Sequence, residues 1–340
     1  FAGVPISVGI GIASIATALA SFDPNPGIGV LSFIAAQRSF SGIDSFSLLA
    51  LPFFTLAGNI MNKGGIANRL VRLARLFVGW IPGYLAATNV LANMFFGAIS
   101  GSSVAATSAM GSIMSPLELE EGYDPNYSAA VNICSAPTGI IIPPSGPLIL
   151  YSITAGGVSV AALFMGGYLP GALLGICVLV VAMFIAYKKG YKSSTVKEDV
   201  PAIKIVIDAI PSLLAVILVM AGILLGWFTA TEAGVGAVLY CGALGFIYRE
   251  LSLKNVYELL ADTMMSSATI LFLISTSTIM SYVMTVSGIP GAISSMIMGV
   301  SDNKFVILLI MNVFLLVMGM FLDLTPAVLI FTPIFLPIVK

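Results

Sequence analysis

The sequence predicts an all-α polytopic membrane protein built from inverted repeats, each carrying a re-entrant hairpin. Three observations predict it. Of 340 residues, 59% are apolar and 9% charged, against roughly 25% charged in soluble chains, and mean hydropathy is +1.07. Apolar runs of about 20 residues, the length that crosses a bilayer, recur along the chain. Two stretches roughly 220 residues apart share a glycine-and-hydroxyl pattern inside apolar segments.

Ala2 to Ser21 reads as a first span, closed by a turn at Phe22-Asp23-Pro24-Asn25-Pro26. Residues 27–42 are short and mixed and suit an interface. Phe46 to Met61 is a second span and Asn62 to Gly65 a turn. Over 66–79, Arg69, Arg72 and Arg75 occupy one face and Leu70, Leu73, Ala74 and Phe77 the other. That pattern suits a helix lying in the membrane plane; an ordinary cytoplasmic helix is the alternative. Tyr84 to Ser100 goes into the membrane, Gly101-Ser102-Ser103 reverses, and Val104 to Leu117 comes out. Neither arm has polar caps at both ends, so the pair reads as a re-entrant hairpin.

The turn LELEEGYDPN follows, with Glu118, Glu120, Glu121 and Asp124 as a solvated cap. Tyr127 to Ile153 is a span broken between Pro137 and Pro147. Val158 to Tyr187 spans, Lys188 to Lys204 is a polar loop, and Ile207 to Leu225 and Ala233 to Tyr248 span. Thr229-Ala-Thr-Glu232 fits a capping box. Residues 254–263 suit an interface, Met264 to Val286 spans, and 288–300 reads as a second in-plane helix. Phe305 to Leu322, a turn at Asp323-Leu324-Thr325-Pro326, and Ala327 to Ile338 make the second hairpin.

Threading these elements alternately puts eleven basic residues on one side, among them Arg69, Arg72, Arg75, Lys188, Lys189, Lys197 and Lys254, and leaves Arg38, Lys304 and Lys340 on the other. The basic side is cytoplasmic by the positive-inside rule, so the hairpins enter from opposite faces. Gly65-Ile66 pairs with Gly288-Ile289, Asn93 with Asn312, Gly97–Ser103 with Gly319–Thr325, and Pro116 with Pro337. Inverted repeats with interrupted helices are the mark of secondary transporters. The chain opens on Phe1 without a signal-peptide pattern, and nothing after the second hairpin matches Leu117–Gly157. It therefore reads as a piece of a longer protein, with a second proline-broken span to follow.

The rest of the composition narrows the classes. A net charge of −1 gives no reason to expect a nucleic-acid partner. Histidine is absent, which removes the commonest metal ligand and general base, so no catalytic triad can be assembled. Cys134, Cys177 and Cys241 lie in apolar runs and read as packing residues. A channel is a further alternative, but no segment carries a ring of polar residues.

The motifs GAISGSSVAA, IIIPPSGPLILYS, FTATEAG and GMFLDLTPAVLIFTPIFLP, taken together, resemble the large membrane subunit of tripartite ATP-independent periplasmic (TRAP) transporters. The resemblance covers the whole chain. It implies a sodium-coupled importer of organic acids in the bacterial inner membrane, surrounded by lipid and working by an elevator motion. Family substrates include C4-dicarboxylates and sugar acids such as sialic acid. It also implies a soluble periplasmic binding protein that delivers substrate and a small membrane subunit, separate or fused. A stand-alone sodium/dicarboxylate symporter of similar architecture is the alternative.

On this basis 1–62, 158–263 and 264–303 hold scaffold spans, with in-plane arm helices at 63–83 and within 264–303. Residues 84–157 form the transport hairpin and broken helix, and 304–340 the truncated second hairpin. Oxygen ligands suit a hard cation such as sodium. Ser100, Gly101, Ser102 and Ser103 with Pro137, Thr138, Gly139, Ile142, Pro143 and Pro144 are candidates for one sodium site; close packing by small residues is the other reading. Gly319, Asp323 and Thr325 begin a second site, with an N-cap as the other role for Asp323. Ser102, Ser103, Ser145 and Asp323 are candidates to meet the substrate, the hydroxyls and half-helix amides serving a carboxylate. Asn93, Asn132 and Asn312 read as interhelical hydrogen-bonding residues.

Overall fold

The structure, a computed structural model, describes residues 3–21, 28–193, 201–300 and 303–339. The expected turn at Phe22–Pro26 and the middle of the 188–204 loop, with Lys197, lie outside these residues. The described elements are helical throughout and fall into two compact units. Among the described residues four helices are long and apolar enough to cross a membrane, Val160–Lys188, Ala202–Leu224, Ala230–Ile247 and Asn255–Val286, or six spans if each of two bent helix pairs counts as one.

The larger unit comprises Leu49–Ile149 and Ser159–Met264. It holds α3 (Ala50–Lys63), α4 (Ile66–Val78), α5 (Tyr84–Ser100), α6 (Ser103–Glu120), α7 (Pro125–Ile141) and the first turn of α8 (Gly146–Thr154). α9 (Val160–Lys188), α10 (Ala202–Leu224) and α11 (Ala230–Ile247) complete it, with the start of α12 (Leu253–Val286). The amphipathic helix expected over 66–79 forms, and its apolar stripe of Ile66, Leu70, Val71 and Ala74 is buried against α5 and α10. Arg69 lies 3.5 Å over the Tyr248 ring, so its charge stays satisfied at the edge of that contact. The capping box forms: Thr229 N–H donates to Glu232 Oε2 at 2.7 Å. Of the three cysteines only Cys241 is buried; Cys134 and Cys177 are exposed and do not fill a core.

The other unit comprises Phe1–Leu48, Leu150–Val158 and Met265–Lys340. It holds α1 (Ile6–Ser21), α2 (Ile28–Ile43), the remainder of α8 and α12, α13 (Ile289–Met298), α14 (Lys304–Gly319) and α15 (Leu324–Val339). The mixed stretch read as suiting an interface forms the regular helix α2 from Ile28 to Ile43. Against α12 it sets Arg38, 4.6 Å over the Tyr282 ring, and Gly42, where an added Cβ would meet Thr278 Oγ1 at 2.3 Å. No break in the helix marks the expected change from interface to span near residue 264. α12 is one helix of 34 residues, because no proline or glycine interrupts Leu253–Val286. In the second hairpin Phe314 meets Phe331 and Phe335 edge-on at 5.4 and 5.6 Å, locking α14 to α15.

The repeat shows in the backbone. Gly65 opens α4 at φ 71° and Gly288 opens α13 at φ 67°, a left-handed conformation that costs glycine little. Each of these helices is followed by two helices joined by a short turn, α5–α6 and α14–α15.

Within the larger unit α5 and α7 cross backbone to backbone. A Cβ on Gly139 would lie 2.4 Å from Asn93 O and 2.6 Å from Gly97 Cα. Gly139→Ala should therefore cost about 1–3 kcal/mol by overpacking and lower the thermal midpoint. Gly236→Ala, where an added Cβ meets nothing within 4 Å, should not. Equal midpoints for Gly139→Ala and the parent protein would contradict the contact.

Candidate ion and substrate site

The first hairpin reverses in two residues. Gly101 caps α5 in the left-handed region at φ 62°, its N–H bonded to Gly97 O at 2.9 Å. Ser102 then turns extended and N-caps α6, its Oγ accepting from Ala105 N at 3.3 Å. Ser100 is buried, and its hydroxyl donates to Ser102 O at 3.4 Å. Behind it α3 passes so close that a Cβ on Gly58 would sit 2.8 Å from Ser100 Cα. Ser103 is half-buried at the start of α6.

The interruption of the next span is shorter than expected. α7 continues through Pro137, Thr138 and Gly139 to Ile141, and only Ile142–Ser145 is non-helical before α8. Pro137, Thr138 and Gly139 therefore do not offer unwound carbonyls. Proline within a helix removes one N–H and frees the carbonyl four residues back, at Ile133, without ending the helix here. Thr138 Oγ1 bonds back to Ser135 O at 2.6 Å, and Gly139 serves the contact with Gly97. The last turn of α7 still ends in carbonyls that lack intrahelical partners. Ile142, Pro143 and Pro144 lie in the break as expected. Ser145, 1% exposed, opens α8 by accepting from Leu148 N at 3.4 Å.

These two interruptions meet. A Cβ on Gly101 would lie 3.3 Å from Gly146 N, at the first residue of α8. The larger unit thus brings the hairpin tip, the carbonyl end of α7 and the amide end of α8 into one small region. Partial negative charge on one helix end and partial positive charge on the other are set beside each other there.

Gly319, Asp323 and Thr325 lie in the other unit, at the tip between α14 and α15. Leu322 N–H bonds back to Met318 O at 3.0 Å, the same four-residue step that Gly101 N–H makes to Gly97 O. Asp323 is exposed, and its backbone oxygen accepts from Ala327 N at 3.1 Å. Among the described residues its carboxylate makes no capping bond. Thr325 is half-buried in the first turn of α15.

The asparagine expectation holds for two of three. Asn93 Nδ2 reaches Asn132 Oδ1 at 3.0 Å, Ser135 Oγ at 2.8 Å and Asn89 Oδ1 at 2.8 Å. Asn132 Nδ2 donates to Thr107 O at 2.9 Å. Asn312 is exposed, and among the described residues its side chain bonds only within its own helix, to Leu308 O at 2.9 Å. The expectation for Glu118 fails: it is not a solvated cap but 1% exposed, accepting from Asn89 Nδ2 at 3.1 Å. Helical spacing carried that signal. Ala106, Met110, Met114 and Glu118 fall four apart on α6, and the first three are wholly buried. Asp124 does match the exposed-cap reading, paired with Lys189 at 2.6 Å.

A family profile described as "Tripartite ATP-independent periplasmic transporter, DctM component" matches residues 1–340. The uncharacterized protein YgiK of Salmonella typhimurium is 49% identical over 338 residues, 99% of this chain and 77% of its own length. The sialic acid TRAP transporter large permease protein SiaM of Vibrio cholerae is 32% identical over 339 residues, 99% of this chain and 78% of its own. The crystal structure of the Alcanivorax borkumensis YdaH transporter matches with a TM-score of 0.66 over 98% of this chain and 81% of its own, at 15% identity, which shows a shared fold. The chain belongs to the DctM family, the large permease components of TRAP transporters, and is a multi-pass inner-membrane transport subunit rather than an enzyme.

Proposed function

We propose that this subunit imports an organic acid together with sodium ions. The acid is a sugar acid of the sialic acid kind, the cargo named for SiaM, or a C4-dicarboxylate. A periplasmic binding protein delivers it, and a small membrane subunit packs against the scaffold spans. Residues 84–157 and the second hairpin travel as an elevator against those spans.

The observation that carries this reading is the meeting of the Gly101 tip with Gly146 at the α7–α8 break. It supplies peptide oxygens for a hard cation and amides for an anion without a buried formal charge. Ser100, Gly101, Ser102, Ser103, Ile142, Pro143 and Pro144 form the first sodium site, with the adjoining last turn of α7, Thr138 and Gly139, as its wall. Gly319, Asp323 and Thr325 begin the second. Ser102, Ser103, Ser145 and Asp323 meet the substrate. Sodium offsets the substrate's charge, because the two hairpins and the broken helix carry no lysine or arginine between Tyr84 and Gly101, Ser103 and Leu117, Tyr127 and Ile153, or Phe305 and Ile338.

Uptake into proteoliposomes, with binding protein loaded with labelled sialic acid or a C4-dicarboxylate, tests the reading. Uptake should collapse without a sodium gradient, and equal uptake with and without sodium would overturn the coupling. Uptake without any binding protein would indicate the stand-alone symporter, and single-channel currents the channel. Ser103→Ala and Asp323→Ala should each raise the sodium concentration for half-maximal uptake about tenfold, the loss of one contact to a charged group. Ser102→Ala should in addition cost about 1 kcal/mol of stability through the lost N-cap.

A further inference from the structure

We propose that Glu118 is a proton-binding site of the hairpin, and that the amide chain Asn89–Asn93 reports its protonation state to α7. The site lies at the far end of α5 and α6 from the Gly101 tip and shares no residue with the sodium and substrate candidates.

The first ground is burial without neutralisation. Glu118 is 1% exposed, yet Asn89 and Ser128 are the side chains that relieve its charge. Basic groups on the surrounding elements are engaged elsewhere. Lys63 pairs with Glu258, Arg69 lies over Tyr248, Arg75 donates to Tyr84 Oη and Lys189 pairs with Asp124. Arg72 is exposed, and Glu121, Tyr123, Tyr127 and Tyr191 add no positive charge. An isolated buried carboxylate is costly, and taking a proton removes that cost.

The second ground is an unfilled set of acceptors. Among the described residues Glu118 Oε2 and Asn93 Oδ1 are buried without a hydrogen-bond partner of standard geometry, and the Ser128 hydroxyl, near enough to favour the charged carboxylate, completes no well-formed bond to it. Asn93 Nδ2 has only two hydrogens, yet three oxygens lie within 3.0 Å of it. A metal cation fits poorly, because the group bonded to the carboxylate is the Asn89 amide, a donor. A proton removes the unpaired charge of the carboxylate and, through Asn89, brings a donor to Asn93 Oδ1. One proton from cytoplasmic water, reached through the exposed turn at Glu120–Gly122, converts the carboxylate to a neutral carboxyl. That O–H donates to Asn89 Oδ1. Asn89 rotates and gives its N–H to Asn93 Oδ1, which now has no donor. Asn93 in turn loosens its hold on Asn132 and Ser135, one turn before Thr138 and Gly139.

Glu118 lies past Leu117, where the membrane arm ends in the sequence, and burial holds its carboxyl above the usual carboxylate range. A raised value means the folded state favours the proton. Its contribution to stability is present below the ordinary carboxylate range and lost as pH climbs through the raised value. Glu118→Gln, which mimics the protonated form, should therefore raise the thermal midpoint at high pH and leave it unchanged at low pH.

pH-difference infrared spectroscopy on the full transporter in lipid vesicles, between about pH 5 and pH 9, tests the site directly. The parent protein should show a carboxylic C=O band that grows as pH falls, with a paired shift of an asparagine side-chain band, both lost in Glu118→Gln. Ser128→Ala removes a group that favours the charged form and should move the midpoint up by about one pH unit, a tenfold tighter hold on the proton. This variant carries the test if Glu118→Gln does not fold. No band assignable to Glu118, or a midpoint unmoved in Ser128→Ala, would overturn the proposal. Neither readout needs sodium or substrate. Sodium-independent uptake with the band intact would overturn only the transport reading, and a missing band with sodium-driven uptake only the proton site.

Discussion

The contact on which the larger unit depends is the crossing of α5 and α7 at Gly97 and Gly139. Two missing side chains let the helix backbones touch, and a single added carbon at either position collides with main-chain atoms. Helices usually cross with axes 8–10 Å apart, the spacing set by the side chains between them. Here that spacer is gone. The consequence runs along both helices. With the crossing fixed, the end of α5 arrives at the start of α8, so the hairpin tip and the broken span meet without a long side chain to join them. The geometry of the candidate site is thus set about one helical turn away from the Gly101 tip and the Ile142 break, by a backbone contact between two glycines.

The same crossing explains why a polar ladder is tolerated inside an apolar unit. Asn89 and Asn93 project one turn apart on α5, towards Asn132 and Ser135 on α7 and Glu118 on α6. Three elements of the hairpin and broken helix are stitched by amide bonds rather than by apolar contact alone. In lipid, where association gains little from water exclusion, small-residue contacts and interhelical hydrogen bonds carry the packing. A partly filled ladder of this kind has more than one way to arrange its donors.

Much of this was legible in the sequence, and the failures share a cause. Gly101-Ser102-Ser103 announced a reversal because glycine and an N-capping serine have no other common use in the middle of an apolar run. Arg69, Arg72 and Arg75 announced the helix at 66–79 through their spacing. The misreadings came from judging residues by type rather than by position. Pro137 by its type predicts a break, yet α7 absorbs it and the chain leaves the helix only at Ile142. Glu118 sat within LELEE and was read with its neighbours as solvated, although it continues the buried row of Met110 and Met114. Which chain regions face one another across α5, α6 and α7 was beyond any local pattern, because each contact joins residues 25 to 42 positions apart.

The paired glycines that open α4 and α13 have a wider consequence. A module copied within one gene is free to drift wherever an exchange of side chains is cheap, and in a membrane protein one aliphatic residue replaces another at little cost. A left-handed backbone is different, because any side chain strains it. Such glycines are the fixed stars of an old duplication. Aligning the halves of a diverged transporter on them should recover its ancestry after ordinary similarity has faded.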